Sequence, residues 1–151
     1  MPHSLAQIYV HIVFSTKNRE PYLKDKELLC QTHAYLGSLC RRFDSPALSV
    51  GGVADHVHIL CSLARTWSPA DLVKELKRES SKWIKRLDPN LENFYWQGGY
   101  GAFSISPSHV PVVRRYIANQ EAHHQRETFK DEYRRLLRKY EIDYTEPEIW
   151  D

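Results

Sequence analysis

The sequence predicts an α+β domain in which helices cover one face of an antiparallel sheet. Three observations carry that expectation. Segments with period-2 patterning alternate with segments of helical period, and two strand-like segments stand almost end to end across a two-residue break. The 151 residues hold no repeat, low-complexity run or linker that would divide them.

Taken in order, "QIYVHIVFST" (7–16) alternates and is rich in β-branched and aromatic residues, so it reads as a strand. After Pro21, apolar residues at 28, 29, 36, 39 and 43 fall near helical spacing and predict a helix over about 24–42. "ALSVGGV" and "HVHILCSL", separated only by Ala54-Asp55, read as two antiparallel strands. The next helix, about 70–87, opens with Ser68 as N-cap and Pro69 in the first turn, and places Leu72, Leu76, Trp83 and Leu87 on one stripe. "FYWQGGYGAFSIS" is a glycine-rich segment leading into a strand, with aromatics that could stack unpaired bases or cap the core. Helices over about 109–124 and 127–140 follow, then an acidic tail. Strand-helix-strand-strand-helix-strand is the ferredoxin-like order. Residues 1–126 are expected to form this domain, with the C-terminal helix and tail of 127–151 belonging to it.

Composition narrows the function classes. No stretch approaches the roughly 20 apolar residues of a membrane span, and the N-terminus has no secretory leader pattern, so a cytoplasmic location without membrane contact is expected. Cys30, Cys40 and Cys61 form no Cys-x-x-Cys pair, which argues against a zinc ribbon or a disulfide framework and for small core residues. The net charge of +2 conceals an asymmetry, because residues 127–151 carry five Lys/Arg against eight acids and leave the body basic. A basic body suits an anionic partner. On the second long helix Lys77 and Arg78, among other cations, are candidate phosphate contacts, although a solvated face explains such charges equally well.

The chemistry concentrates at two places. In "GGVADHVHIL" (51–60), His56 and His58 lie two apart on a strand and therefore share a face, with Cβ atoms roughly 6–7 Å apart. Two imidazoles so placed can converge on one metal ion. Val57, Ile59, Cys61 and Leu63 share the other side, which should pack under the helices and turn the histidines to the open face. In "VVRRYIANQEAHH", Val110, Val113 and Ile117 form the core stripe, while Tyr116, Asn119, Gln120 and His123 form a second stripe with no Lys or Glu in it. Arg114 and Arg115 stand alongside as candidate DNA contacts.

Together these pieces resemble a known family. "DHVHIL" is similar to the His-hydrophobic-His motif of the HUH nucleases, and "VVRRYIANQ" resembles the tyrosine helix of the single-tyrosine transposases of small bacterial insertion sequences and their domesticated, REP-associated relatives. "YVHIVFSTKNREPYL" and the element order extend the likeness over most of residues 7–124. The resemblance implies an endonuclease that cleaves and rejoins single-stranded DNA, with hairpin ends, through a 5′-phosphotyrosine on Tyr116. It implies a divalent ion, Mg²⁺ or Mn²⁺, on His56, His58 and Gln120, which stands one turn after Tyr116; Glu121, His123 or His124 could replace Gln120. The phosphotyrosine ester keeps the bond activated, so no nucleotide cofactor is implied. Excision breaks two DNA ends, so a homodimer is implied, in which the tyrosine helix of one subunit can dock on the histidines of the other. His11, on the first strand, is expected as a structural neighbour of the histidine strand. Two rivals remain at this point: a hairpin-binding protein without strand transfer, and a metal-dependent hydrolase using His56, His58 and His123 or His124.

Overall fold

The computed structural model describes residues 3–151. Its elements are β1 (Tyr9–Ser15), α1 (Lys26–Arg42), β2 (Ala47–Val53), β3 (His56–Ser62), α2 (Pro69–Leu87), β4 (Gly101–Ile105), α3 (Val110–Ala118), α4 (Gln120–His123), α5 (Phe129–Lys139) and α6 (Glu146–Trp150). The four strands pair antiparallel in the order β2-β3-β1-β4, with α1 and α2 as the crossovers. This is the expected α+β, ferredoxin-like sheet.

Local chemistry sets the helix starts. Asp25 accepts hydrogen bonds from the backbone N–H groups of Glu27 and Leu28 to open α1, and Ser68 accepts from Asp71 N–H to open α2 with Pro69 in the first turn. Strand alternation then divides the core. Val10, Ile12, Phe14, Val57, Ile59 and Cys61 face α1 and α2, against Leu36, Leu39, Leu72 and Leu76. On the other face, Leu60 and Ile105 pack on Val110, Val113 and Ile117 of α3, while Val13 and Phe103 pack on Phe129, Tyr133, Leu136 and Leu137 of α5. The face that carries the histidines, expected to stay open, is instead roofed by α3, α4 and α5.

Three details depart from expectation. Leu87 is 47% exposed, and Ile84, fully buried, takes its place in the α2 stripe. Trp83 stays at the boundary, stacked on Tyr35 with ring centres 4.6 Å apart. The helix expected over 109–124 is interrupted at Asn119 (φ −102°, ψ 20°), whose N–H reaches both Arg115 O and Tyr116 O as the helix ends. Cys40 and Cys61 are core residues, but Cys30 is exposed. No helix among the described residues is long and apolar enough to cross a membrane.

Gly51 allows α3 to lie directly on β2. A Cβ built there would stand 2.4 Å from Ile117 O, a backbone atom that cannot swing away. Gly51→Ala must therefore push α3, and Tyr116 with it, off the sheet. We expect a loss of about 2 kcal/mol, or a melting temperature lower by roughly 4–8 °C. An unchanged melting curve would contradict the close approach.

A candidate metal centre beside Tyr116

His56 and His58 both project from β3 under the α3–α5 roof, and both are fully buried. Their Nδ1 atoms are tied back: His56 Nδ1 lies 2.7 Å from Asp55 Oδ1, and His58 Nδ1 lies 2.8 Å from His11 Nε2. Such partners fix ring orientation and leave the Nε2 atoms to converge. They converge on Glu132 of α5, whose Oε1 stands 3.3 Å from His56 Nε2, 3.1 Å from His58 Nε2 and 2.9 Å from His124 Nε2. The ligand atoms of His56, His58, His124 and Glu132 all lie within 4.8 Å of one another. Gln120 completes the shell, with Oε1 3.0 Å from His56 Nε2 and 2.9 Å from His124 Nε2, and Nε2 donating to Glu132 Oε2 at 3.1 Å.

This donor set fits a divalent ion. Three imidazole nitrogens and a carboxylate point inward, and the outer imidazole nitrogens of His56 and His58 are held by a carboxylate and a third histidine. Without an ion, protons must hold the cluster together. Burial alone would lower the His56 pKa, but the hydrogen bonds and charges of Asp55 and Glu132 carry it up to about 9. Burial prevails at His58 and pushes it down to about 4, against the pull of Glu132. Burial would raise Glu132, yet the hydrogen bonds from His124, His56 and His58 hold it far below the carboxylate range.

A pH dependence follows for the metal-free protein. His56 is raised from 6.5 to about 9, so its contribution is complete below pH 6.5 and is lost as pH rises towards 9. His58, lowered to about 4, acts with the opposite sign and removes stability as pH falls from 6.5 towards 4. In excess chelator the melting temperature should fall between pH 6.5 and 9 by roughly 5 °C, the scale set by on the order of 2 kcal/mol. Mn²⁺ should suppress that fall by taking the place of the proton, and His56→Gln should remove it. A flat profile in chelator would contradict the assigned His56 environment.

Tyr116 projects from α3 into the same cluster. Its hydroxyl donates to Glu132 Oε2 and accepts from Arg135 Nη2 at 2.8 Å. Its ring stands edge-on to His58, with centres 5.7 Å apart. Burial, followed by the Glu132 charge, raises the phenol above its ordinary pKa, and Arg135 opposes the rise. Within the chain, Tyr116 thus meets the histidines and Glu132 directly.

The structure places the other candidates as follows. Gln120 is buried within the cluster, whereas Glu121 is exposed and pairs with Lys26 at 3.6 Å. His123 is drawn aside by Glu127 at 2.6 Å, and His124, one turn after Gln120, takes the inward position with its Nε2 2.9 Å from Gln120 Oε1. His11 is the expected structural neighbour, though bonded to His58 more directly than strand adjacency alone implies. Arg114 and Arg115 are exposed on α3. Lys77 Nζ donates to Gln97 O at 2.7 Å and Gly99 O at 2.6 Å, and burial lowers its pKa to about 8. Arg78 is occupied by Glu75 and Glu79, and both lie on α2, across the sheet from His56.

Glu132, Asp55 and Arg135 were not singled out in the sequence. Glu132 did leave a signal, since Phe129, Glu132, Tyr133 and Leu136 are the buried stripe of α5 and one member is an acid. A carboxylate in an apolar stripe needs a partner.

The family model described as "Transposase IS200 like" matches residues 4–120. The chain belongs to this family. It is a member of the HUH single-tyrosine transposase superfamily, of the IS200-like kind. Solved structures agree on the fold. A candidate transposase from Deinococcus radiodurans R1 is 21% identical, with a TM-score of 0.62 over 80% of this chain and 95% of its own. A REP-associated tyrosine transposase bound to a REP hairpin is 15% identical, with a TM-score of 0.58 over 82% of this chain and 72% of its own. No curated protein matches the sequence. The family match of this IS200-like chain ends at Gln120, so His124 and Glu132 lie beyond it.

Proposed function

We propose that this protein cleaves and rejoins single-stranded DNA, with Tyr116 as nucleophile and His56, His58, His124 and Glu132 holding a divalent ion, Gln120 beside them. The observation that carries the reading is the shared carboxylate: one oxygen of Glu132 binds the Tyr116 hydroxyl while the other meets the three imidazoles. The ion would polarise the scissile phosphate and offset charge in the transition state. Tyr116 Oη attacks phosphorus, the 3′-oxygen leaves, and the DNA 5′ end becomes esterified to the tyrosine. Glu132 is a weak base at its depressed pKa, so the phenolic proton passes by way of Glu132 Oε2 to water only as the P–O bond forms, the departing 3′-oxygen takes a proton from water to become the free 3′-OH, and Arg135 balances the growing negative charge. Attack by a 3′-OH on the phosphotyrosine reverses these steps and restores Tyr116.

His56, His58 and Glu132 are fully buried, so a phosphate reaches them only when the roof parts. The seam lies between α3 and α5, where His11, Tyr116 and Arg135 line a cavity of about 70 Å³. On this reading residues 127–151 belong to the catalytic domain because α5 supplies Glu132. Hairpin-ended DNA is the proposed substrate, supported by family membership and by the hairpin bound to the REP-associated relative. Excision requires two sites, and a homodimer with one complete site per chain meets that need.

The test is incubation with labelled single strands from the DNA flanking the protein's gene, with Mn²⁺ or Mg²⁺, on a denaturing gel. The expected result is a protein-linked band and a shorter fragment with a free 3′-OH. Retardation on a native gel with no covalent band would favour a hairpin-binding protein, and cleavage without protein linkage would favour a hydrolase.

A further inference from the structure

Beside the metal centre lies a cleft of about 150 Å³ that the proposed chemistry does not use. At the ~30 Å³ that a water occupies in the liquid, it has room for about five waters, or for one flat ring system. Its floor is the sheet, at Val13 and Ser15. These are the register partners of His58 and His56, so the cleft opens on the same face as the donor set, one strand away. Its wall towards the site is Phe129, whose ring stacks on His56 with centres 4.4 Å apart. The remaining walls include Tyr100, Tyr133 and Trp150.

We infer that this cleft takes one unstacked nucleobase of the DNA strand, close to the scissile phosphate. The inference rests on the single-stranded DNA reading above and adds to it a recognition subsite whose walls at Phe129, Tyr133 and Trp150 lie beyond the family match.

Aromatic walls favour a planar heterocycle, because every base offers a π-face. Charge around the cleft is arranged to match. Glu148 is the only carboxylate in the lining, and an acceptor there suits the exocyclic amino edge of a base. Cations gather at the Trp150 ring, with Arg19 and Lys130 each 5.1 Å and Arg134 5.3 Å from its centre. Arg134 is held by Asp131 and Glu146, but Arg19 Nη1 is buried without a hydrogen-bond partner. An unmet guanidinium donor costs free energy until an acceptor arrives, and a nucleotide phosphate supplies one. Arg19 is also held in a left-handed conformation, uncommon for a long side chain, after a left-handed Asn18, both at φ 55°. Gln97 supports this turn: Oε1 accepts from Asn18 N–H at 2.8 Å, and Nε2 donates to Trp150 O at 3.3 Å. One buried side chain thus positions both the orphan cation and the aromatic wall. The glycine-rich aromatic segment of the sequence gains a role here, since Tyr100 lines the cleft while Trp96 is core, bonded to Ser80.

The test uses full-length Tyr116→Phe protein, so that binding is read without cleavage. A labelled single strand from the gene's flanking DNA is compared, by fluorescence anisotropy, with copies carrying one abasic position at a time. The expected result is one position at which loss of the base weakens binding roughly 5- to 100-fold. That penalty should vanish in Trp150→Ala and also in Tyr100→Ala, whose side chain is partly exposed and serves if Trp150→Ala does not fold. A penalty unchanged in the variants, or no sensitive position at all, would overturn the subsite while DNA binding itself persists. Failure of the parent protein to bind any single strand would overturn the DNA reading and the subsite together.

Discussion

Tyr116→Phe should abolish the covalent protein–DNA adduct and reduce strand cleavage by roughly 10⁴-fold or more, as expected when a nucleophile is deleted. The substitution removes one oxygen and keeps the ring, so the edge contacts with His11, His58 and His123 remain. Glu132 Oε2 still accepts from Gln120 Nε2, and Arg135 still pairs with Glu127. Loss of one partly buried hydrogen-bonding group should change stability by about 1 kcal/mol, and DNA affinity should stay near that of the parent. Denaturing gels and thermal melts on one preparation separate these effects. Undiminished adduct in the variant would assign the nucleophile elsewhere.

Glu132→Ala is the second large effect. The carboxylate is the hub that His56, His58, His124, Gln120 and Tyr116 share, and its removal leaves three imidazoles and a phenol around an empty buried space. Breaking a buried charged network by deleting one partner costs about 3–5 kcal/mol, less whatever the histidines recover by losing their proton. Glu132→Gln keeps the shape and removes the charge, so it serves where the alanine variant unfolds. In either variant Mn²⁺ affinity, followed by calorimetry, should fall at least tenfold, the lower end of what disturbing such a shell costs, and cleavage should fall with it. Cleavage that rises in Glu132→Gln would show instead that the carboxylate occupies the phosphate's place.

Much of the fold was legible because the periods are clean. The β2–β3 pair could be read from two strand-like runs with only Ala54-Asp55 between them, and α2 from Ser68, Pro69 and an apolar stripe. His56 and His58 were legible as a pair because strand alternation leaves no choice of face. The fourth donor was not, since Glu132 reaches the site from a helix 12 residues beyond the family match, and a lone acid among charged neighbours resembles a solvated one. His124 was obscured for another reason. Helical spacing brings both His123 and His124 near the face of Tyr116 and Gln120, and it does not foretell that Glu127 holds His123 while His124 meets Gln120 and Glu132. The surroundings of Lys77 were not legible either, because composition cannot distinguish a lysine in water from one bound to the carbonyls of Gln97 and Gly99.

The central claim is that Tyr116 becomes covalently joined to DNA at a site completed by α5. Mass spectrometry of proteolysed protein, after incubation with single-stranded flanking DNA and Mn²⁺ and nuclease trimming, tests it most directly. The account predicts a nucleotide attached through a 5′-phosphate to Tyr116, present in the parent, reduced in Glu132→Gln at the same Mn²⁺ concentration and absent from chelator-treated samples. A nucleotide on any other residue, or DNA cut with every tyrosine unmodified, would contradict it.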